Sequence, residues 1–481
     1  MLFRIKNLYC LLGLLVTYTQ SARADFYWWD WYGNRYATPV EACSDPGGMT
    51  THPGYVGVRV KQETFDRYQC WHFYVPYGEW YTNGGVRRFG DRCPLGKIYN
   101  AETGLCGSGK DKGKPQVCTG NPINVAVGNK YQQEVDYSPG GSSALEFQRY
   151  YNSVDGVWRH SFSTSLNIVG SIITLVKNDG QELAFNSIGN TVVGSPSTSG
   201  HMDKLANGWR YTTENNEIYS FDSAGKLASF QNGRVSYAVT RILAKSIVTD
   251  NVGNSLEFTE GSSGQLQLVT ASGSSISYSY DSSQRLTTVL RTEAGQTVSR
   301  LYHYEDSRNT ALLTGITDER GVRFATWRYD EDGRAISSEH AGGVERSTVA
   351  YNADGSRTVT NELGKKTTYK FTLVDGVSRV TSVVGEPTAN CPYSNSTFTY
   401  NDRGQVLTQT DAKGFVTTYT YNDRGLETTR TQASGTPQAR TTTTTWHATF
   451  NLPLTVTEGG QVTTYTYDSQ GRQTSRTQTA L

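Results

Sequence analysis

The sequence predicts an all-β chain: an antiparallel β-hairpin repeat array coiling into a partial shell, with a small disulfide-stapled module at its N-terminus. Three observations carry this. The phrase Tyr400-Asn401-Asp402-Arg403-Gly404 returns as Tyr421-Asn422-Asp423-Arg424-Gly425. Ahead of each copy, aromatics alternate with threonines (Phe398 and Tyr400, then Tyr419 and Tyr421), which is the two-residue period of a strand. Five of the seven cysteines, finally, crowd between Cys43 and Cys118.

Each repeat unit reads as strand, tight turn, strand. The Asn or Asp after the aromatic can hydrogen-bond the amides of its own turn, and the Gly that follows takes the positive φ that closes it. Val406-Leu407-Thr408-Gln409-Thr410 then supplies the β-formers of a returning strand. The signature recurs at Phe221-Asp222, at Tyr280-Asp281, at Tyr329-Asp330 with Gly333, at Tyr351-Asn352 with Gly355, and at Tyr467-Asp468 with Gly471. Weaker copies place Phe258, Tyr304, Phe371 and Trp446 in the aromatic slot, so the step is roughly 21 to 29 residues. A single hairpin buries too little apolar surface to stand alone, so consecutive units must pair edge to edge.

The Tyr-Asp/Asn-x-x-Gly pattern with its threonine-rich strands resembles the YD repeat of Rhs-family proteins. Upstream, Asn121-Pro122-Ile123-Asn124-Val125-Ala126-Val127-Gly128-Asn129-Lys130-Tyr131 resembles the opening of the domain of unknown function that precedes those repeats. Together the two cover roughly Asn121 to the C-terminus. The resemblance implies a hollow β shell, which in that family surrounds a C-terminal toxin behind an aspartate-dependent self-cleavage segment with Asp-Pro-x-Gly motifs. The only Asp-Pro is Asp45-Pro46, and the sequence stops at Leu481 just after a repeat. The expectation is therefore a relative of toxin-delivery proteins without the toxin.

Lys and Arg number 45 against 44 Asp and Glu, with no basic run, so the electrostatic footprint of a nucleic-acid binder is missing. At the start, Arg4 and Lys6 precede the apolar run Leu8 to Val16, and Ala22-Arg23-Ala24 offers a cleavage site. Residues 1–24 thus read as a signal peptide, and no membrane span is expected after its removal. The alternative, a membrane anchor, needs a longer apolar run.

Residues 25–118 form the cysteine- and aromatic-rich module. In an exported protein its cysteines read as a disulfide framework. Cys93 with Cys106 is the preferred pair, because the segment between them looks like a hairpin with Gly near both ends; Cys43 with Cys70 is the next. A zinc site using His52, Cys70 and His72 competes, although the spacings fit no familiar pattern. Trp28, Trp29 and Trp31, among neighbouring tyrosines, are candidates for stacking on sugar rings, or else fill a small core.

Gly104 to Lys110 fits seven positions of a phosphate-binding loop, but Asp111 stands where a hydroxyl is required. The seven histidines form no nucleophile arrangement. No cofactor or metal is expected. Residues 119–200 read as a β domain preceding the repeats, with strands around Leu145–Tyr151, Leu166–Val169 and Ile172–Val176 and a loop over Gly189–Gly200. The YD-repeat array follows over 201–481.

Two functions follow. The first is an exported, non-enzymatic shell or scaffold with a glycan or protein partner at the bacterial cell surface. The second is a carbohydrate-active enzyme with its site in the aromatic module. The last strand, Gln473 to Thr479, is polar with Arg476 as its one charge, so either self-association through that edge or a partner chain that continues the sheet is expected.

Overall fold

The computed structural model describes residues 26–29, 35–36, 39–44, 55–64, 67–74, 79–90, 98–99 and 106–107, then 110–481 apart from 140–142, 144, 170, 190, 262–263 and 386–394. The expected leader, Trp31 and Cys93 lie outside them. The chain divides into two compact units, residues 1–94 with 99–107, and residues 95–98 with 108–481.

In the first unit, five antiparallel strands run in the order Arg35–Tyr36, Phe26–Trp29, Glu79–Gly90, Arg67–Tyr74, Tyr55–Thr64. The short helix Pro39–Ser44 carries Cys43, which is disulfide-bonded to Cys70 in the sheet with 5.5 Å between their Cα atoms. Among the described residues, Ala42, Cys43, Cys70 and Val86 form a buried cluster. Closing a loop of 27 residues is worth about 3.5 kcal/mol in the chain-entropy account. Because the Cys70 sulfur is spent on this bond, the zinc alternative loses its thiolate.

The second unit opens with a β domain. Tyr131–Tyr137, Phe147–Asn152 and Val157–His160 make one antiparallel sheet. Ser165–Val169, Ile172–Val176, Glu182–Ile188 and Thr191–Gly194 make another. The loop expected over 189–200 is therefore partly strand: Val192 and Val193 are β-formers, and their backbone pairs with Glu182–Ile188.

From His201 the chain builds a single 26-stranded sheet in which each strand pairs antiparallel with the next, ending at Gln473–Ala480. The all-β expectation holds, and so does the hairpin array. Alternation sets the two faces. Ser274–Tyr280 buries Ile276 and Tyr278 on one side, while successive strands place Val248, Leu256, Phe258, Val269, Ile316 and Trp327 in the same core. Against them the preceding β domain presents Phe147, Tyr151, Ile173 and Leu175, each essentially inaccessible to solvent. The core thus lies between the sheet's inner face and that domain.

Sheets of twisted strands coil, and here the coil brings distant hairpins together. Asn451 donates its backbone N–H to Asn216 Oδ1 at 2.8 Å and its Nδ2 to the Glu214 carbonyl at 3.1 Å, bridging more than 230 positions of sequence. Likewise Asp375, in the turn between strands Lys366–Val374 and Val377–Val384, accepts the Ser197 amide at 2.8 Å and Lys110 Nζ at 3.1 Å. Turns alternate between the two long edges of a meander, so the Asn216–Asn451 contact joins one edge to the opposite edge of a distant part of the ribbon, while Asp375 ties its turn to segments that precede the sheet's first strand. The first and last strands of the sheet do not pair with each other, and the sheet is not closed into a barrel.

Candidate functional site

The repeat signature builds one turn many times. At Asp222, Asp281, Asp330, Asn401, Asn422 and Asp468, the side-chain Oδ1 accepts the backbone N–H groups two and four residues ahead. The backbone completes the ring: Gly404 N–H donates to the Asn401 carbonyl, and Asn401 N–H to the Gln405 carbonyl. Gly404 holds φ +73° and Gly425 +81°, a region in which a side chain is strained. Asn352 differs, donating its Nδ2 to Ser356 and Thr358 instead.

Where the aromatic ends its strand, the pairing register shifts: Tyr400 faces Val406, Tyr421 faces Glu427 and Tyr467 faces Gln473, leaving one residue bulged. The aromatic then reaches back one hairpin. Tyr280 donates its hydroxyl to the Leu266 carbonyl, Tyr351 to Ala335, Tyr421 to Val406 and Tyr467 to Pro453, each at 2.8 Å. Tyr400 reaches Val380, Trp446 uses its indole N–H on Glu427, and Tyr329 reaches Leu313. Every acceptor except Leu313 is a residue at which the preceding hairpin's register shifts. Burial pushes the Tyr280 and Tyr421 hydroxyls up to about 12, so both stay protonated and able to donate.

Sequence reasoning missed a second set of turns. Asp250, Asp318, Asn361 and Asp411 make the same double acceptor contact, on the sheet's other edge. A threonine precedes each, not an aromatic, so a search keyed on Tyr passes over them. The signal was the bare Asx-x-x-Gly spacing.

The seam between the preceding β domain and the sheet gathers charge. Arg149 grips Asp136 with Nε at 2.5 Å and Nη2 at 2.9 Å, while Nη2 also reaches the Tyr302 hydroxyl at 2.7 Å. Tyr278 donates to Asp136 at 2.7 Å, and the guanidinium lies 4.8 Å from the Trp158 ring centre. Burial opposes the charge on Arg149, and Asp136 with the two tyrosines more than restores it, so its pKa stands well above the ordinary value. Lys130, fully buried, donates to the carbonyls of Asn121 and Tyr131 and to Gln132 Oε1, and sits 4.2 Å over the Trp327 ring. Burial pulls its ammonium well below the usual lysine range, with Glu134 opposing. Gly128 shows why this segment tolerates little change: a Cβ there would meet Arg334 Cβ at 2.4 Å and the Tyr351 hydroxyl at 2.6 Å.

Of the other residues singled out from sequence, Trp28 and Trp29 stand on the strand pairing with Arg88 and Arg87. Cys106 is on a two-residue strand, apart from the Cys43–Cys70 bond. Among the described residues, no three His, Cys, Asp or Glu side chains gather as a metal would need, and no helix is long and apolar enough to cross a membrane. The chemistry on view is hydrogen bonding and ion pairing that fixes one β element on another.

This is the architecture of a β-hairpin repeat protein wound on a preceding β domain. Residues 120–185 match the family model described as a domain of unknown function, DUF6531, and residues 400–437 match that of the RHS repeat. The chain thus carries a DUF6531 segment ahead of a stretch that matches the RHS repeat. No curated protein matches the sequence. Among solved structures, TcdB2-TccC3 is similar at 12% identity over 88% of this chain and 23% of its own, with a TM-score of 0.31. The Tc holotoxin pore of Photorhabdus luminescens is similar at 13% identity over 84% of this chain and 24% of its own, with a TM-score of 0.28. The chain spans about a quarter or less of the length of these structures.

Two predictions follow from the turn chemistry. At Tyr280-Asp281 the glycine position is Gln284, which adopts φ +62°. Relief of that strain, less the extra chain entropy of glycine, makes Gln284→Gly stabilising by about 0.5–1 kcal/mol; a denaturant midpoint that is unchanged or lower contradicts the reading. The second concerns pH. Backbone and side-chain hydrogen bonds from Arg472 hold Asp468 below its ordinary pKa. A depressed carboxylate stabilises above its unfolded pKa and loses that contribution as pH falls through the folded one. Hydrogen-exchange protection at Gln470 and Arg472 should therefore drop below about pH 4, whereas that at Arg403 and Gln405, held by the neutral Asn401, should not. Equal loss at both turns would refute the assignment.

Proposed function

We propose that the chain is an exported, non-enzymatic wall element: a β ribbon wound on its preceding domain, serving as part of a shell or scaffold and continued by protein partners through its edges. The proposed division is a leader over 1–24, a stapled module over 25–118, the β domain over 119–200 and the ribbon over 201–481.

One observation carries the reading. The preceding domain fills the inner face only along the earlier repeats, and from about Val406 onward that face bears half-exposed Tyr419, Tyr421, Thr442, Thr444, Trp446 and Tyr465. A globular enzyme would bury such a surface in its own core, whereas a wall leaves it toward whatever the shell contains. The outer face of the same strands is threonine, ranked as Thr399, Thr408, Thr418, Thr431 and Thr441 across five strands. The aspartates of the repeats are engaged as turn clamps, which leaves them unsuited to acid–base work. At the edge, all eight residues of Gln473–Ala480 are exposed, and they pair on one side only, with Gln461–Tyr467. Such an edge accepts a further strand.

Cysteine labelling tests the wall. Thr443→Cys on the outer face should react with small and polymer-linked maleimides alike, while Thr444→Cys on the inner face should react with the small reagent and slowly with the bulky one. Equal rates with the bulky reagent at both sites would remove the shell reading. Light scattering tests the edge separately: association at micromolar concentration is expected, weakened by Thr477→Pro, and a monomer indifferent to that change would exclude strand addition there.

A further inference from the structure

The seam holds a partly open cavity of about 100 Å³ whose polar lining is Glu134, Asp136, Arg149, Arg291, Arg300 and Glu319. Its carboxylates are committed. Asp136 serves Arg149 and Tyr278, Glu134 serves Arg300 and Gln132, and Glu319 serves Arg300 at 3.0 Å. Its guanidiniums are not used up. Once the protein bonds are made, Arg149 Nη1, Arg291 Nε and Arg300 Nε are buried nitrogens with no acceptor among the described residues. The Arg149 side chain is only 3% exposed, so its free nitrogen has no recourse to bulk water. Arg291 adds a cation whose hydrogen bond within the described residues goes to the Val135 carbonyl, not to a carboxylate.

Three residues that each keep a spare donor line one small space, and the acidic groups beside them are already paired. That space takes a few waters or one small ion. An anion accepts from several donors at once and also answers the charge of Arg291, whereas a cation would meet only arginines and engaged carboxylates. We propose that this cavity binds a small monovalent anion of halide size. The ion would join Arg149 of the preceding β domain to Arg291 and Arg300 on the sheet, so that docking of the domain depends on which anion is present.

Bromide is the probe, on the full chain at constant ionic strength, replacing gluconate, an anion far larger than bromide. The expected result is a saturable rise of a few degrees in melting temperature over the millimolar range, absent in Arg291→Gln. Arg291 is partly exposed, so the variant should fold; should it not, anomalous scattering from bromide-soaked crystals of the unaltered chain decides alone, with a peak expected among the three arginines. Equal melting in bromide and gluconate, an unchanged bromide effect in Arg291→Gln, or water alone at that position would overturn the proposal.

Discussion

A tyrosine hydroxyl resting on a carbonyl that a β-bulge has taken out of the ladder is the interaction on which this fold depends. A bulge tightens the turn and the twist, but it leaves a backbone acceptor without its ladder partner, and an unmet buried acceptor costs about 1–3 kcal/mol. The next hairpin repays this with Tyr280, Tyr351, Tyr421 or Tyr467, and at one place with the indole of Trp446. Phenylalanine would fill the same space and leave the carbonyl unmet. Each aromatic therefore does two things: it supplies apolar surface to the inner face, and it fixes its hairpin against the one before. A slip of one residue would turn every inner side chain outward and break the contact, so register is held by chemistry as well as by pattern.

The strand period, the Asx-Gly turns and the hairpin repeat were legible because all three are local. Tyr400 and Asn401 announce their turn within five residues, and the structure uses them within the same span. The turns at Asp250, Asp318, Asn361 and Asp411 obey the same rule but lack the aromatic, so a pattern built on Tyr passes over them. The seam lay beyond sequence for a different reason. Arg149 meets Tyr302 across 153 positions and Asp136 meets Tyr278 across 142, and no periodicity links residues so far apart. The loop expected over 189–200 failed at Val192 and Val193, where a neighbouring strand captured a segment whose glycines and serines read as turn.

Apolar packing and buried charge divide the labour at that seam. Phe147, Tyr151 and Leu175 against Val248, Leu256 and Phe258 give the preceding domain its affinity for the sheet, but such a surface would accept several orientations. The Arg149–Asp136 pair admits one, since its guanidinium must meet Tyr302 while its carboxylate meets Tyr278. Buried ion pairs add little net stability against an apolar replacement, and their better attested use is to specify register. Gly128 adds a steric limit, because only a residue without Cβ lets the loop before Lys130 lie against Arg334.

The contact between Asn216 and Asn451 acts as a gauge. It is made between hairpins at two fixed counts along the ribbon, so the number of strands separating them sets the pitch of the coil. A hairpin gained or lost between these positions would bring a different turn to Asn216 and force a new pitch, however well the added unit paired with its neighbours. Beyond Asn451 no such tally applies to the described residues, and a hairpin added or removed there leaves the earlier winding as it is. The ribbon thus has one span whose length is fixed by geometry and another whose length is free to vary, although the same repeat builds both.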